Sequence, residues 1–472
     1  MKIQITIVLL FLASSLAGQA VKETIPKVYY SDTDTIRYEY SLYPDTFPMV
    51  MVLGKKDTVN AGTDNARGIV LTAFIGKDTL RIPGGNYPYA KRSYVTIKTP
   101  TRQSVVVFKY NGAISNFSQA YIEKYDGKTT FEIPEVYELA SIIWTLSPAG
   151  QRATDLNKNT AYYKKAEQYF KPYLGHPLFK KLDFTEQDYF GKYYSFRENS
   201  FTYKFQGDSI VSEGSRHYVT GNDWDGFSSL FSEFLPLVED FARTSNFRKF
   251  YTDNQGFYTA DIRRVQQLLP VKHMWEWLEK EFPGEKYNAY RIVFSPLTGG
   301  SHSTQKYFGK NAKTKARYGE TVMFICDASR YDVQKEITEQ QKEGLMSGVV
   351  FTEIDHNYVN PVSSDYQKEI AEIFGKKGFW ASEEDQWYRS PMAVFNEYMT
   401  HAVFCIWVNE KYNSKTAAYV IKKREELNTG KRKFYKFREF NQALLKLRKE
   451  NPGLTIKGLY PRIIEWSKGQ IR

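Results

Sequence analysis

Hydrophobic and polar positions along this chain change their period near residue 134. Before it, short runs rich in β-branched and aromatic residues occupy 38–42, 49–53, 69–75, 94–98, 105–110 and 131–133. Turn signals stand between several of them, at Gly54, Gly76, Pro83 and Asp126. Short strands with such punctuation predict an antiparallel β-sandwich or partial barrel. No titratable cluster lies within it, so its default role is support or recognition.

After Pro134 the spacing becomes helical. Val136, Leu139, Ala140, Ile143 and Leu146 share a face, and Pro134 suits a first turn. A second helix is expected over 160–173, and aromatic-rich helical segments continue to Glu281. Two strands follow, 290–294 and 321–326, joined by a Gly/Ser loop without the lysine of a phosphate-binding loop. Helices are then expected over 348–361 and 391–407, the latter with Ser390 as N-cap and Pro391 in its first turn. The fold class is α+β: an antiparallel β-sandwich-like domain over 21–133, then a larger, mainly helical domain with a small sheet over 134–472.

Residues 1–20 carry one lysine, an apolar run from Ile5 to Leu12 and small residues before Val21, the pattern of a cleavable secretory signal. A secreted or periplasmic protein is expected, without a lipid-attachment cysteine and without a later spanning segment. The two cysteines, Cys326 and Cys405, lie in apolar runs, so buried thiols or one disulfide are expected and a cysteine-rich zinc site is excluded. The net charge of +12 is concentrated at one end, because residues 411–472 hold 17 Lys and Arg against 5 Asp and Glu. That segment reads as a solvated helical surface; any partner it meets is an anionic surface, not nucleic acid.

The candidate chemistry sits on the last two predicted helices. Over 348–361, Thr352, Glu353 and His356 line the polar side while Val350, Phe351, Ile354 and Tyr358 line the other. Zinc hydrolases place His-Glu-x-x-His there, because residues i and i+4 reach one metal and the Glu takes a proton from its water. Here Thr352 stands in the first histidine's place. Over 391–407 the polar stripe is Asn396, Glu397, Thr400 and His401 on an otherwise apolar helix, so partners must face it. Glu353 is the candidate general base, and His356, Glu397 and His401 are the candidate zinc ligands.

The segments around 131–144, 162–177, 291–300, 352–361 and 459–466, above all Thr-Glu-Ile-Asp-His-Asn-Tyr-Val-Asn-Pro, resemble a family of secreted bacterial proteins of unknown function with a zinc-peptidase-like core. The resemblance covers roughly residues 130–470 and implies a gluzincin-type (zincin-like) fold and metallopeptidase ancestry. In that type the third ligand is the Glu of an Asn-Glu-x-x-x-Asp pattern. Asn396 and Glu397 match its start, and His401 replaces its acid.

Three functions are compatible with these residues. The first is a degenerate, non-hydrolysing cleft that binds a peptide or an exported partner. The second is an active metallopeptidase in which His401 restores a two-histidine, one-glutamate zinc set. The third is a recognition protein working through the β-domain; a carbohydrate-active role is the weakest option, since aromatic stripes are mostly core. His176 and His273 are expected to be structural, and His217 and His302 exposed. Asp355 is expected to be solvated or hydrogen-bonded, and Tyr358 and Tyr388 are the phenols that could serve an oxyanion.

Overall fold

The computed structural model describes residues 28–42, 45–54, 58–61, 70–83, 91–110, 115–184, 189–213, 230–284, 286–300, 302–311, 313–314, 316–384, 388 and 390–471. Residues 1–20, read above as a secretory signal, most of the Pro83 turn and His217 lie outside them.

The first segment forms β1 (Val28–Tyr30), β2 (Thr35–Leu42), β3 (Asp45–Val52), β4 (Thr58–Ala61), β5 (Val70–Ile75), β6 (Asp78–Pro83), β7 (Lys91–Lys98) and β8 (Gln103–Tyr110). They make two four-stranded sheets, ordered β1-β7-β8-β4 and β3-β2-β5-β6. Ile36 and Tyr38, Met51 and Leu53, Ala73 and Ile75, Val95 and Ile97, and Val106 and Phe108 fall two apart and share one core, as the strand period requires. The second sheet is antiparallel throughout, whereas β1 and β4 run parallel to their partners in the first. Both are very short, so local alternation does not announce them. Gly76, at φ 58°, makes the β5–β6 turn, where a Cβ would lie 2.3 Å from the Tyr30 carbonyl.

A five-stranded sheet comes next, made of β9 (Ser115–Asn116), β10 (Thr129–Glu132), β13 (Ala289–Phe294), β14 (Ser303–Lys310) and β15 (Arg317–Ile325), while β11 (Tyr203–Gln206) and β12 (Ser209–Ser212) form a separate hairpin. Its order is β10-β13-β15-β14-β9, with β10, β13 and β15 parallel and β14 antiparallel to β15. The strand expected at 131–133 exists, but it pairs with β13, not with the sandwich. Residues 115–132 therefore belong structurally with the larger part, a long-range pairing that local pattern cannot reveal. Both faces of β13 are covered: Tyr290, Ile292 and Phe294 join the main core, and Ala289 and Val293 a smaller one.

The helical part includes α1 (Glu135–Leu146), α2 (Glu339–Ser363), α3 (Pro391–Lys411), α4 (Ser414–Glu426) and α5 (Ile456–Gln470), of which α2 and α3 carry the polar stripes. α2 begins ahead of the expected start because Thr338 and Gln341 form a capping box, with bonds of 3.2 and 2.9 Å. α3 starts as expected, with the Ser390 hydroxyl accepting from Ala393 N at 3.0 Å and Pro391 in the first turn. α2 packs on α3, and α4 packs on both. Gly344 and Gly348 permit the approach of α4, since a Cβ at these positions would lie 2.6 Å from Val420 and 1.8 Å from the Arg424 guanidinium.

Cys326 and Cys405 are free and buried, and burial pushes both thiols up to about 12. Among the described residues, no helix is long and apolar enough to cross a membrane. Several cations of the basic segment are paired on helical surfaces, as with Arg438 and Glu425, and Arg448 with Glu281 and Glu410.

Inside the five-stranded sheet, Arg291 of β13 is buried and donates to Glu132 at 2.7 Å and to the Tyr121 hydroxyl at 2.7 Å, and Tyr121 in turn donates to Glu320 at 2.8 Å. Removing one partner of a buried pair leaves an uncompensated charge. Arg291→Met is expected to lower unfolding free energy by about 3 to 5 kcal/mol in urea denaturation; a loss below about 1 kcal/mol would contradict this role for the network.

Candidate functional site

The polar stripes of α2 and α3 face each other, and Glu397 is their meeting point. His356 Nε2 lies 3.3 Å from Glu397 Oε1, and His401 Nε2 lies 3.5 Å from Oε2. The fourth participant comes from the basic segment: Arg432 donates to Glu397 Oε2 in a very short contact and to the Tyr388 hydroxyl at 2.9 Å. Burial alone would raise the Glu397 carboxyl, but His356, His401 and Arg432 together hold it well below the usual carboxylate range. This carboxylate is the electrostatic centre of the cleft.

Each imidazole is fixed by its other nitrogen. His356 Nδ1 lies 3.2 Å from Asn360 Oδ1, one helical turn on, so it carries a proton toward that oxygen. Burial disfavours its charged form, yet Glu397 raises its pKa above the ordinary histidine value. His401 is fully buried, and its Nδ1 receives Arg424 Nη1 at 3.3 Å. A guanidinium can only donate, so Nδ1 is the acceptor and the proton of the neutral ring sits on Nε2, toward Glu397. Burial first, then Arg432 and Arg424, push this imidazole down to about 3.

Thr352 lies on the same helix as His356 but does not join them. Its hydroxyl donates back to the Gly348 carbonyl at 2.9 Å and approaches that of Val349 at 3.2 Å. Glu353 is part-buried beside the pair, and its carboxyl is raised by burial and by Glu397, with His356 and Arg432 opposing. Asp355 is not solvated. It is fully buried, neither of its carboxyl oxygens has a hydrogen-bond partner, and burial raises its pKa far above the ordinary value. It lies between packed helices.

Zinc is the cofactor that the sequence motif implies, and these residues do not fit it as they stand. The Thr352 oxygen is turned into its own helix, and His401 has no free lone pair on Nε2. Glu397 already carries a permanent cation. At an effective dielectric near 20, a divalent ion about 4 Å from a guanidinium meets a repulsion of about 8 kcal/mol. Complete four-ligand zinc sites provide only about 10 to 16 kcal/mol. Among the described residues, no trio of His, Cys, Asp or Glu is gathered to hold a metal.

The remaining expected residues separate cleanly. His176 accepts from Leu178 N at 3.2 Å and meets Asp240 at 3.0 Å, and His273 accepts from the Trp407 indole at 3.2 Å, so both are structural. His302 is not exposed: burial depresses it to about 3. Tyr358 is fully buried against the Tyr290 hydroxyl and serves the core, whereas Tyr388 is at the cleft. Arg424 and Arg432 do not stand out in the sequence. Arg424 had a signal, since it continues the buried stripe of Thr416, Ala417 and Val420 on α4. Arg432 had none, standing between Lys431 and Lys433.

The depressed carboxyl of Glu397 sets a pH dependence. Its contribution is present above the unfolded carboxylate pKa of about 4.3 and is lost as pH falls through its lower folded value. Glu397→Gln is expected to cost about 2 to 4 kcal/mol at neutral pH by denaturant titration, with the gap to wild type closing in acid. A gap that stays constant down to about pH 2 would contradict this electrostatic role.

Comparison of the chain with protein-family models, with curated proteins and with solved structures found no match.

Proposed function

We propose that this is an exported protein whose peptidase-like cleft holds a peptide, or an extended segment of an exported partner, without hydrolysing it. The observation that carries the reading is Thr352: the first metal-ligand position holds, instead of an imidazole, a neutral hydroxyl that is turned back onto its own helix. Glu353, where a general base would sit, has its carboxyl raised by burial and by Glu397, with His356 and Arg432 opposing. Hydrolysis through a relocated His401 is the competing reading, and Arg424's donation to His401 Nδ1 weighs against it.

Peptide capture is supported by β14. It is the antiparallel strand nearest one edge of the five-stranded sheet and packs against α2. β9 covers only Gly309 and Lys310, so among the described residues no strand pairs with the outer edge of 303–308. An extended chain can add to such an edge through main-chain hydrogen bonds. A second reading, recognition through the β-sandwich, has one observation in its favour: Val28 and Tyr30 on β1 and Val105 on β8 stand exposed on the two strands that flank β7 in one sheet.

Both readings meet in one experiment. The mature chain, supplied with zinc, is incubated with a random peptide library; cleavage is followed by mass spectrometry, and hydrogen exchange is measured with retained peptides bound. We expect no cleavage and new protection across β14. Cleavage that disappears in His401→Ala would establish the relocated-ligand enzyme, and protection confined to β1, β7 and β8 would move the function to the sandwich.

A further inference from the structure

We propose that Arg432 is the resident cation of this site: its guanidinium sits on Glu397 Oε2, beside the Oε1 that faces His356, its charge keeps a divalent metal ion off the carboxylate, and its removal uncovers a metal site built on Glu397 and His356. The inference rests on the reading of the cleft as non-hydrolytic and names the group that keeps it so.

Three observations lead here. The first is spacing. Donor atoms on one tetrahedral zinc ion, each about 2.0 to 2.1 Å from it, are about 3.4 Å apart. His356 Nε2 and Glu397 Oε1 are separated by 3.3 Å, the separation that two such ligands would keep. His356 also has the outer-side bond that orients a ligating imidazole, from Nδ1 to Asn360 at 3.2 Å. The two donors are spaced for a cation, and the cation present, Arg432, holds the other oxygen of the same carboxylate, Oε2.

The second is that Arg432 is held in place from both sides. It follows the π-turn Leu427–Lys431 and precedes Lys433, whose backbone is left-handed at φ 56°. Phe434 N donates to the Asn428 carbonyl at 2.9 Å, Tyr435 N to the Trp380 carbonyl at 2.9 Å, and Lys436 N to the Tyr398 hydroxyl at 3.1 Å. A π-turn and a non-glycine left-handed residue both carry conformational cost and recur at functional positions. The segment is fastened so that Arg432 reaches Glu397.

The third is how the imidazoles divide. His356 and His401 approach opposite oxygens of Glu397, and Arg424 holds His401 in the tautomer that cannot ligate. The uncovered site therefore has two protein donors, with water completing the shell. It should bind zinc more weakly than a three-ligand enzyme site, and exogenous guanidinium should compete for the same carboxylate.

The test uses full mature chains of wild type, Arg432→Ala, and Arg432→Ala combined with His356→Ala. Zinc binding is measured by calorimetry and by native mass spectrometry, and zinc-dependent shifts in Tm are recorded alongside. The expected result is that Arg432→Ala binds zinc at least about tenfold more tightly than wild type, gains Tm on zinc addition, and loses both effects in the double variant or in millimolar guanidinium. If Arg432→Ala does not fold, Arg432→Gln, which keeps a planar donor without the charge, takes its place with the same expectation. A folded Arg432 variant that binds zinc no better than wild type overturns this inference while leaving the non-hydrolysing cleft intact. Tight zinc binding by wild type that depends on Glu397 overturns both.

Discussion

A buried carboxylate must be compensated, and the C-terminal half of this protein is arranged around the compensation of one. Glu397 projects from α3, an almost wholly buried helix, and is met by His356 from α2, His401 from its own helix and Arg432 from the segment after α4. An ionised carboxylate in such a place is costly unless several hydrogen-bonding groups converge on it. The glycines of α2 let α4 approach, α4 brings Arg424 to His401, and Arg424 fixes the tautomer with which His401 faces Glu397. Packing and electrostatics are the same problem here.

The ancestral-looking motif takes its meaning from that arrangement. Glu353 and His356 have the spacing of a zinc-hydrolase motif, and the cation that meets the Glu397 carboxylate is Arg432. A guanidinium polarises no carbonyl and lowers no water's pKa toward neutrality as a metal does. It does fix a carboxylate and hold a cleft in shape. Asp355, buried among packed helices, obeys the same constraint: burial first, then the Glu397 and Glu353 charges nearby, raise its carboxyl well above the ordinary value.

Much of the fold was legible because the core follows simple periods. Pairs such as Val95 and Ile97, or the Val350, Phe351, Ile354 and Tyr358 face of α2, are read directly from strand and helix spacing. The strands missed were the short β1, β4, β9, β11 and β12 and also β6 and the eight-residue β14, which follows the Gly/Ser stretch read as a plain connection; β10 was assigned to the wrong sheet because its partner lies over a hundred and fifty residues away. Of the candidate site, Glu353, His356, Glu397 and His401 were visible and are brought together, whereas Thr352 turned away. Arg432 could not be read: among neighbouring lysines, nothing local distinguishes the one cation that folds inward.

The most direct measurement is anomalous diffraction at the zinc edge from crystals of the wild-type protein equilibrated with zinc. With Arg432 as the resident cation, the Arg432 guanidinium should appear on Glu397 and no anomalous peak should lie within bonding distance of the Glu397 carboxylate. A zinc peak bonded to Glu397 and either histidine, with Arg432 displaced, would contradict the account.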